Sequence, residues 1–162
     1  MMVAAAIGSI VLTAVAMLVF FSARSYAALA NYIDLDQYSR KTLDRLSMEI
    51  RQADSLASYS TNQLIFVNGG FTNLSYTFDP VARTLTRTNG TEVEVMLKEC
   101  DTLTFTIYGR YTQSNSFDQF PVTNAANAKM VKLNWTCTRT VLGRKVNTES
   151  VQSAKIVIRK QG

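Results

Sequence analysis

The chain of 162 residues has no histidine. That removes the usual general base, the commonest metal ligand and the common activator of a serine or cysteine nucleophile. No phosphate loop, nucleophile elbow or zinc-ligand spacing occurs either. Only two prolines are present, the first at position 80, so no proline interrupts a helix anywhere in the first half. Charge is missing altogether from residues 1–23, where Arg24 is the first ionisable side chain.

What is present begins with that uncharged run. It continues into an amphipathic stretch dotted with tyrosines that reaches about Ala57, and one helix can cover it all. Such a helix would rise roughly 85 Å at about 1.5 Å per residue, whereas a bilayer core needs about 30 Å. More than half would project beyond the lipid. A soluble core helix fits poorly, because water is a poor solvent for so long an apolar run. A cleaved signal also fits poorly despite the small-residue spacing of Ala28, Leu29 and Ala30, since no basic segment precedes the run and the run is too long. The sequence therefore predicts a retained anchor. Ala4, Ala5, Ala6, Gly8 and Ser9 gather small residues where helices approach closely, and Ile7, Ile10 and Leu12 complete this expected assembly helix.

From Arg24 onward apolar residues recur by threes and fours: Leu29 and Ile33, then Leu43, Leu46, Ile50, Ala53 and Ala57. That is one helical face. Leu43, Leu46, Ile50 and Ala53 are expected to seal against a globular head, with Lys41, Arg45, Glu49 and Asp54 on the wet side.

After residue 58 the period changes to two. Strands are expected near Leu64–Val67, Leu74–Phe78, Leu85–Thr88, Thr91–Val95, Leu103–Tyr108, Met130–Cys137 and Ser153–Arg159. Asn89-Gly90 predicts a type I′ hairpin, and residues 109–128 read as a long loop. The predicted architecture is α+β. A hydrophobic helix over 1–23 and an amphipathic stalk over 24–57 pack on a largely antiparallel head, 58–162.

Three carboxylate pairs stand two residues apart: Asp34/Asp36, Glu92/Glu94 and Glu99/Asp101. Glu92 and Glu94 are expected on the solvated face of their hairpin, with Val93 and Val95 inside. Glu99 and Asp101 could help hold a hard cation such as Ca²⁺, but two carboxylates without further oxygen ligands make a weak case. No catalytic, cofactor or metal residue is assigned, and an enzyme is not expected. Cys100 and Cys137 are the only cysteines. In an exported head they suggest a disulfide worth about 3 to 4 kcal/mol, the alternative being two buried thiols.

Lys and Arg total 17 against 12 Asp and Glu, and the excess is local: between Lys129 and Gly162 eight residues are basic and one, Glu149, is acidic. Lys129, Lys132, Arg139, Arg144 and Lys145 form a candidate contact patch for an acidic subunit, anionic lipid or nucleic acid. The plain alternative is a solvated, lysine-guarded sheet surface.

The run Met1-Met2-Val3-Ala4-Ala5-Ala6-Ile7-Gly8-Ser9-Ile10-Val11-Leu12 resembles the segment that follows the Gly-Phe-Thr-Leu-x-Glu processing motif in type IV pilins and type II secretion pseudopilins. The motif itself does not occur among these residues. The stretch from Tyr38 to Ala53 is similar to the J-type minor pseudopilins, and the segment from Lys129 to Arg159 resembles the end of prepilin-type proteins. The resemblance implies a membrane-anchored structural subunit, without cofactor, whose partners are other pilin or pseudopilin subunits and the membrane. Basic residues following the span, such as Arg24, would by themselves favour a cytoplasmic head. The resemblance implies the opposite side, with the head periplasmic or extracellular. A DNA-binding minor pilin of a competence apparatus is the alternative.

Overall fold

The computed structural model describes residues 2–69, 71–110, 119–141, 144–145 and 150–159. One helix, α1 (Met2–Gln52), runs for 51 residues, about 77 Å at the usual rise. Among the described residues it is followed by eleven strands: β1 (Ser55–Tyr59), β2 (Gln63–Asn68), β3 (Phe71–Asp79), β4 (Thr84–Asn89), β5 (Glu92–Leu97), β6 (Cys100–Arg110), β7 (Gln119–Val122), β8 (Met130–Cys137), β9 (Thr140–Val141), β10 (Arg144–Lys145) and β11 (Ser150–Val157). The fold is α+β, a long N-terminal helix packed on antiparallel sheets.

One sheet has the order β1-β2-β3-β4-β5, another β11-β8-β6-β7, and β9 and β10 make a small ribbon. Every pairing is antiparallel. The helix lies between the β5 edge of the first sheet and the β11 edge of the second. At the far side Tyr59 Oη on β1 donates to the carbonyl of Phe105 on β6 at 3.0 Å, tying the two sheets together. Leu46, Ile50, Leu64, Phe66, Tyr76, Leu85, Phe105, Leu133 and Trp135 form the core beneath the helix.

The helix stops at Gln52, short of the expected Ala57, because its next residues are taken by a sheet. The amide of Asp54 donates to the Val67 carbonyl at 2.9 Å, and its Oδ2 accepts from the Gly69 amide at 2.7 Å. Leu56, beside the expected stripe residue Ala57, is buried in β1 opposite Phe66 of the neighbouring strand. Ala57, expected on the stalk face, falls at a register shift between Leu56 and Ser58 and is exposed.

Two turn readings also change. The hairpin joining β4 and β5 pairs Asn89 with Glu92, so the turn residues are Gly90 and Thr91. Positive φ falls on Gly90 (59°) and not on Asn89, the sign pattern of type II′ and not of type I′. Within the expected loop 109–128, β7 pairs with the end of β6, and a short 3-10 helix, Ala125–Asn127, is capped by Asn124. Residues 111–118 lie outside the described residues. Gly109 permits this return: a Cβ there would stand 2.8 Å from the Asn127 carbonyl oxygen and 2.9 Å from a Val122 methyl.

Candidate assembly surfaces

The first surface is the helix itself. Ala4, Ala5, Ala6, Ile7, Gly8, Ile10 and Leu12 are all exposed, as are the following residues to Ala23. This stretch is long and apolar enough to cross a membrane, with a mean hydropathy of 2.5 over its most apolar window. Leu29 and Ile33 are exposed as well and project before the head begins.

The head is engaged from Leu35 onward. Leu35, Ser39, Thr42, Leu46, Ile50 and Ala53 are buried in a single stripe stepping by three and four, while Leu43 is half-buried at its margin. Two of these six are polar, and each has found a partner. Trp135 Nε1 donates to Ser39 Oγ at 3.3 Å, and Thr42 Oγ1 donates to the Met96 carbonyl at 3.0 Å. Those bonds satisfy groups that burial would otherwise penalise.

On the β5 side of that stripe the expected wet face is partly dry. Glu49 Oε2 accepts from Arg87 Nε at 2.9 Å and also from the Tyr76 hydroxyl. Its Oε1 accepts from Arg45 Nε at 3.2 Å. Arg45 Nη1 in turn reaches Glu94 Oε2 at 2.8 Å. Burial alone would raise the Glu49 carboxyl, but the bonds from Arg87, Tyr76 and Arg45 outweigh it and hold the group below the usual carboxylate range. Burial pushes the Tyr76 hydroxyl far up, and the Glu49 charge adds to that. Glu94 therefore faces the helix, while Val93 and Val95 are exposed at 69% and 44%. This reverses the faces expected for this strand. Arg87 sits opposite both Tyr76 and Glu94 in the sheet, so the ladder hands Glu94 to the inner side.

A second clamp fastens the point where the stalk leaves the head. Arg139 Nη1 meets Asp34 Oδ2 at 2.7 Å and its Nε meets Glu99 Oε2 at 2.6 Å. Asp101 pairs with Arg83 at 2.8 Å and accepts from the Thr138 hydroxyl. Arg83 and Glu99 both have positive φ, 55° and 58°, a conformation disfavoured for side chains with a Cβ. The Cys100 amide donates to the Arg83 carbonyl at 2.9 Å across this corner. Glu99 and Asp101 are thus neutralised by arginines. Among the described residues, no group of three or more Cys, Asp or Glu side chains is arranged to hold a metal ion.

Cys100 and Cys137 occupy directly paired positions on β6 and β8 and are buried. They are free thiols, so the bridge expected from the sequence is not formed in this structure. The contact with Cys137, reinforced by burial, pushes the Cys100 thiol well above its ordinary range.

Three members of the predicted basic patch have described side chains. Arg139 is held in the stalk clamp, Lys132 points outward from β8 and Lys129 lies beside the start of that strand. Arg144 and Lys145 pair with β9 through their backbones, and their side chains lie outside the described residues. Lys129 instead borders a cleft of about 430 Å³ with Tyr108, Arg110, Val157 and Arg159. The sequence reading missed Arg110 and Arg159 because one ends β6 and the other follows β11, far apart in the chain. Comparison with known proteins decides no family: no family model, no curated protein and no solved structure matches this chain. Its function must be argued from these surfaces alone.

Proposed function

We propose that this protein is a membrane-anchored structural subunit of a pilin-like filament, a minor pilin or pseudopilin of a type IV pilus or type II secretion pseudopilus. The observation that carries this reading is the division of one continuous helix: exposed and apolar through Ala23, then sealed to the head from Leu35. Burying the first part in a bilayer or among like helices satisfies the same apolar surface in either place. The chain can therefore be stored in a membrane and drawn into a filament core. The compartment that fits is a bacterial inner membrane with the head on its outer side. Function follows from assembly and not from catalysis.

The DNA-binding alternative draws less support, because Arg139 is committed to Asp34 and Glu99. The experiment is co-purification of two differently tagged full-length copies from one membrane, with and without Ile10→Asp. The parent copies should associate and the variant should neither associate nor remain in the membrane. Unchanged association by Ile10→Asp would reject assembly through the helix.

A further inference from the structure

The chain contains two Asn-Gly pairs, Asn68-Gly69 and Asn89-Gly90. Each stands where a strand turns back on its neighbour: Asn68 pairs with Phe71, and Asn89 with Glu92. Asparagine is a chemically labile residue, and a following glycine exposes it most, because no side chain shields the next amide nitrogen from the asparagine Cγ. Backbone and space treat the two pairs alike. Gly69 and Gly90 have φ of 62° and 59°, and a Cβ at either would meet open space. They differ at the nitrogen. The Gly69 amide donates to Asp54 Oδ2 at 2.7 Å, whereas among the described residues no acceptor is bonded to the Gly90 amide.

We infer that Asn89 is a site of spontaneous deamidation in the folded protein, and that Asp54 shields Asn68 from the same reaction. Hydroxide takes the Gly90 amide proton, and the nitrogen attacks Asn89 Cγ. The new C–N bond closes a five-membered imide as the side-chain nitrogen leaves as ammonia. Water then opens the imide. Attack at Cγ yields aspartate, and attack at the backbone carbonyl yields isoaspartate, in which the main chain runs through the former side chain. The net exchange is one ammonia for one water. At Gly69 the first step is opposed twice: the bond to Asp54 holds the proton, and the carboxylate disfavours a second negative charge beside it.

The product acts on the contact between stalk and head. Asn89 is half-buried, two residues from Arg87 on the same face of β4, and directly opposite Glu92. A carboxylate at position 89 sets like charges across the closing pair of the hairpin, which is unfavourable. Isoaspartate also adds a carbon to the main chain there. The strand leaving this turn is β5, whose Glu94 side chain and Met96 carbonyl hold Arg45 and Thr42 of the helix. Deamidation at Asn89 therefore loosens the β5 edge from the helix.

The test is peptide mapping by mass spectrometry of full-length protein in detergent, held warm at mildly alkaline pH. The peptide carrying Asn89 should gain one mass unit at least tenfold faster than the peptide carrying Asn68. In denaturant the two rates should converge. Asp54→Ala should raise the Asn68 rate in the folded protein severalfold and leave that of Asn89 unchanged. Equal rates in the folded protein, a faster Asn68, or a difference that persists in denaturant overturns the inference. An Asn68 rate unmoved by Asp54→Ala, in a variant that melts like the parent, overturns the shielding by Asp54. Deamidated chains, separated by their added charge, should exchange the amide hydrogens of β5 faster than intact chains; unchanged exchange there overturns the effect on the helix contact.

Discussion

Glu49 on the helix and Arg87 on β4 form an ion pair of 2.9 Å whose side chains are 14% and 6% exposed, the most enclosed ion pair between stalk and head among the described residues. A charge so enclosed depends on its partner, because removing one member leaves the other desolvated.

Glu49→Ala should therefore destabilise the chain by about 3 kcal/mol, and Arg87→Met combined with Glu49→Leu should recover much of that loss. The pH dependence has a definite sign. The Glu49 carboxyl is held below its ordinary value of 4.5, so its contribution is complete above that value and is lost as pH falls through the lower folded value. Thermal melts between pH 7 and pH 3 should show an acid-side drop in the parent that is shallower in Glu49→Gln.

Leu46 is completely buried against the sheet. Leu46→Asp would place an unpaired charge in the core and should abolish cooperative melting. Arg45→Asp, which the sequence pattern alone would rate as mild, loses its pairs with Glu49 and Glu94. It should cost about 1 kcal/mol, since Arg45 is partly solvated. A melt of Leu46→Asp that matches the parent would mean that the helix does not pack along this stripe.

The paired positions of Cys100 and Cys137 place their Cα atoms roughly 4.5 to 5.5 Å apart, as in any antiparallel pair, within the range a disulfide spans. A small disulfide oxidant should convert the two thiols into one bridge and be reduced to its own dithiol. Intact mass should fall by two hydrogens and the melting temperature should rise. Before oxidation, both thiols should resist alkylation until the protein is denatured. Rapid native alkylation would contradict their burial.

Gly109→Ala should destabilise by about 1 to 3 kcal/mol through overpacking against the Asn127 carbonyl. Hydrogen exchange should localise the effect to β7 and the short helix after it. An effect spread evenly over the head would argue against this close approach as the cause.

Full-length protein in detergent should bind DNA weakly and lose that binding by physiological salt, because Arg139 is already neutralised by Asp34 and Glu99. Submicromolar affinity that survives salt and disappears with Arg144→Ala and Lys145→Ala would put the competence reading first.

The long apolar helix, the stalk stripe through Leu46, Ile50 and Ala53, and most strands were legible because each rests on local periodicity that one element expresses by itself. The helix end was not. Leu56 fits a helical and a strand pattern equally, and the choice was made by the bonds from Asp54 to Val67 and Gly69. β7 was hidden in a polar segment, since its partner, the end of β6, is what makes it a strand.

The sequence by itself determined a long apolar helix, an antiparallel head and the residues that join them, because hydrophobic burial acts on patterns a few residues long. Only the tertiary structure decided which charges face inward. Glu49 and Arg87 are 38 residues apart in the chain, and Arg139 lies 105 residues from Asp34. Nothing in a local pattern distinguishes a solvated carboxylate from one that will meet an arginine across the fold. The exposure of Val93 and Val95 was decided in the same way: once Arg87 fixed the inward face of the β4 and β5 ladder, Glu94 turned toward the helix and the valines turned to the surface.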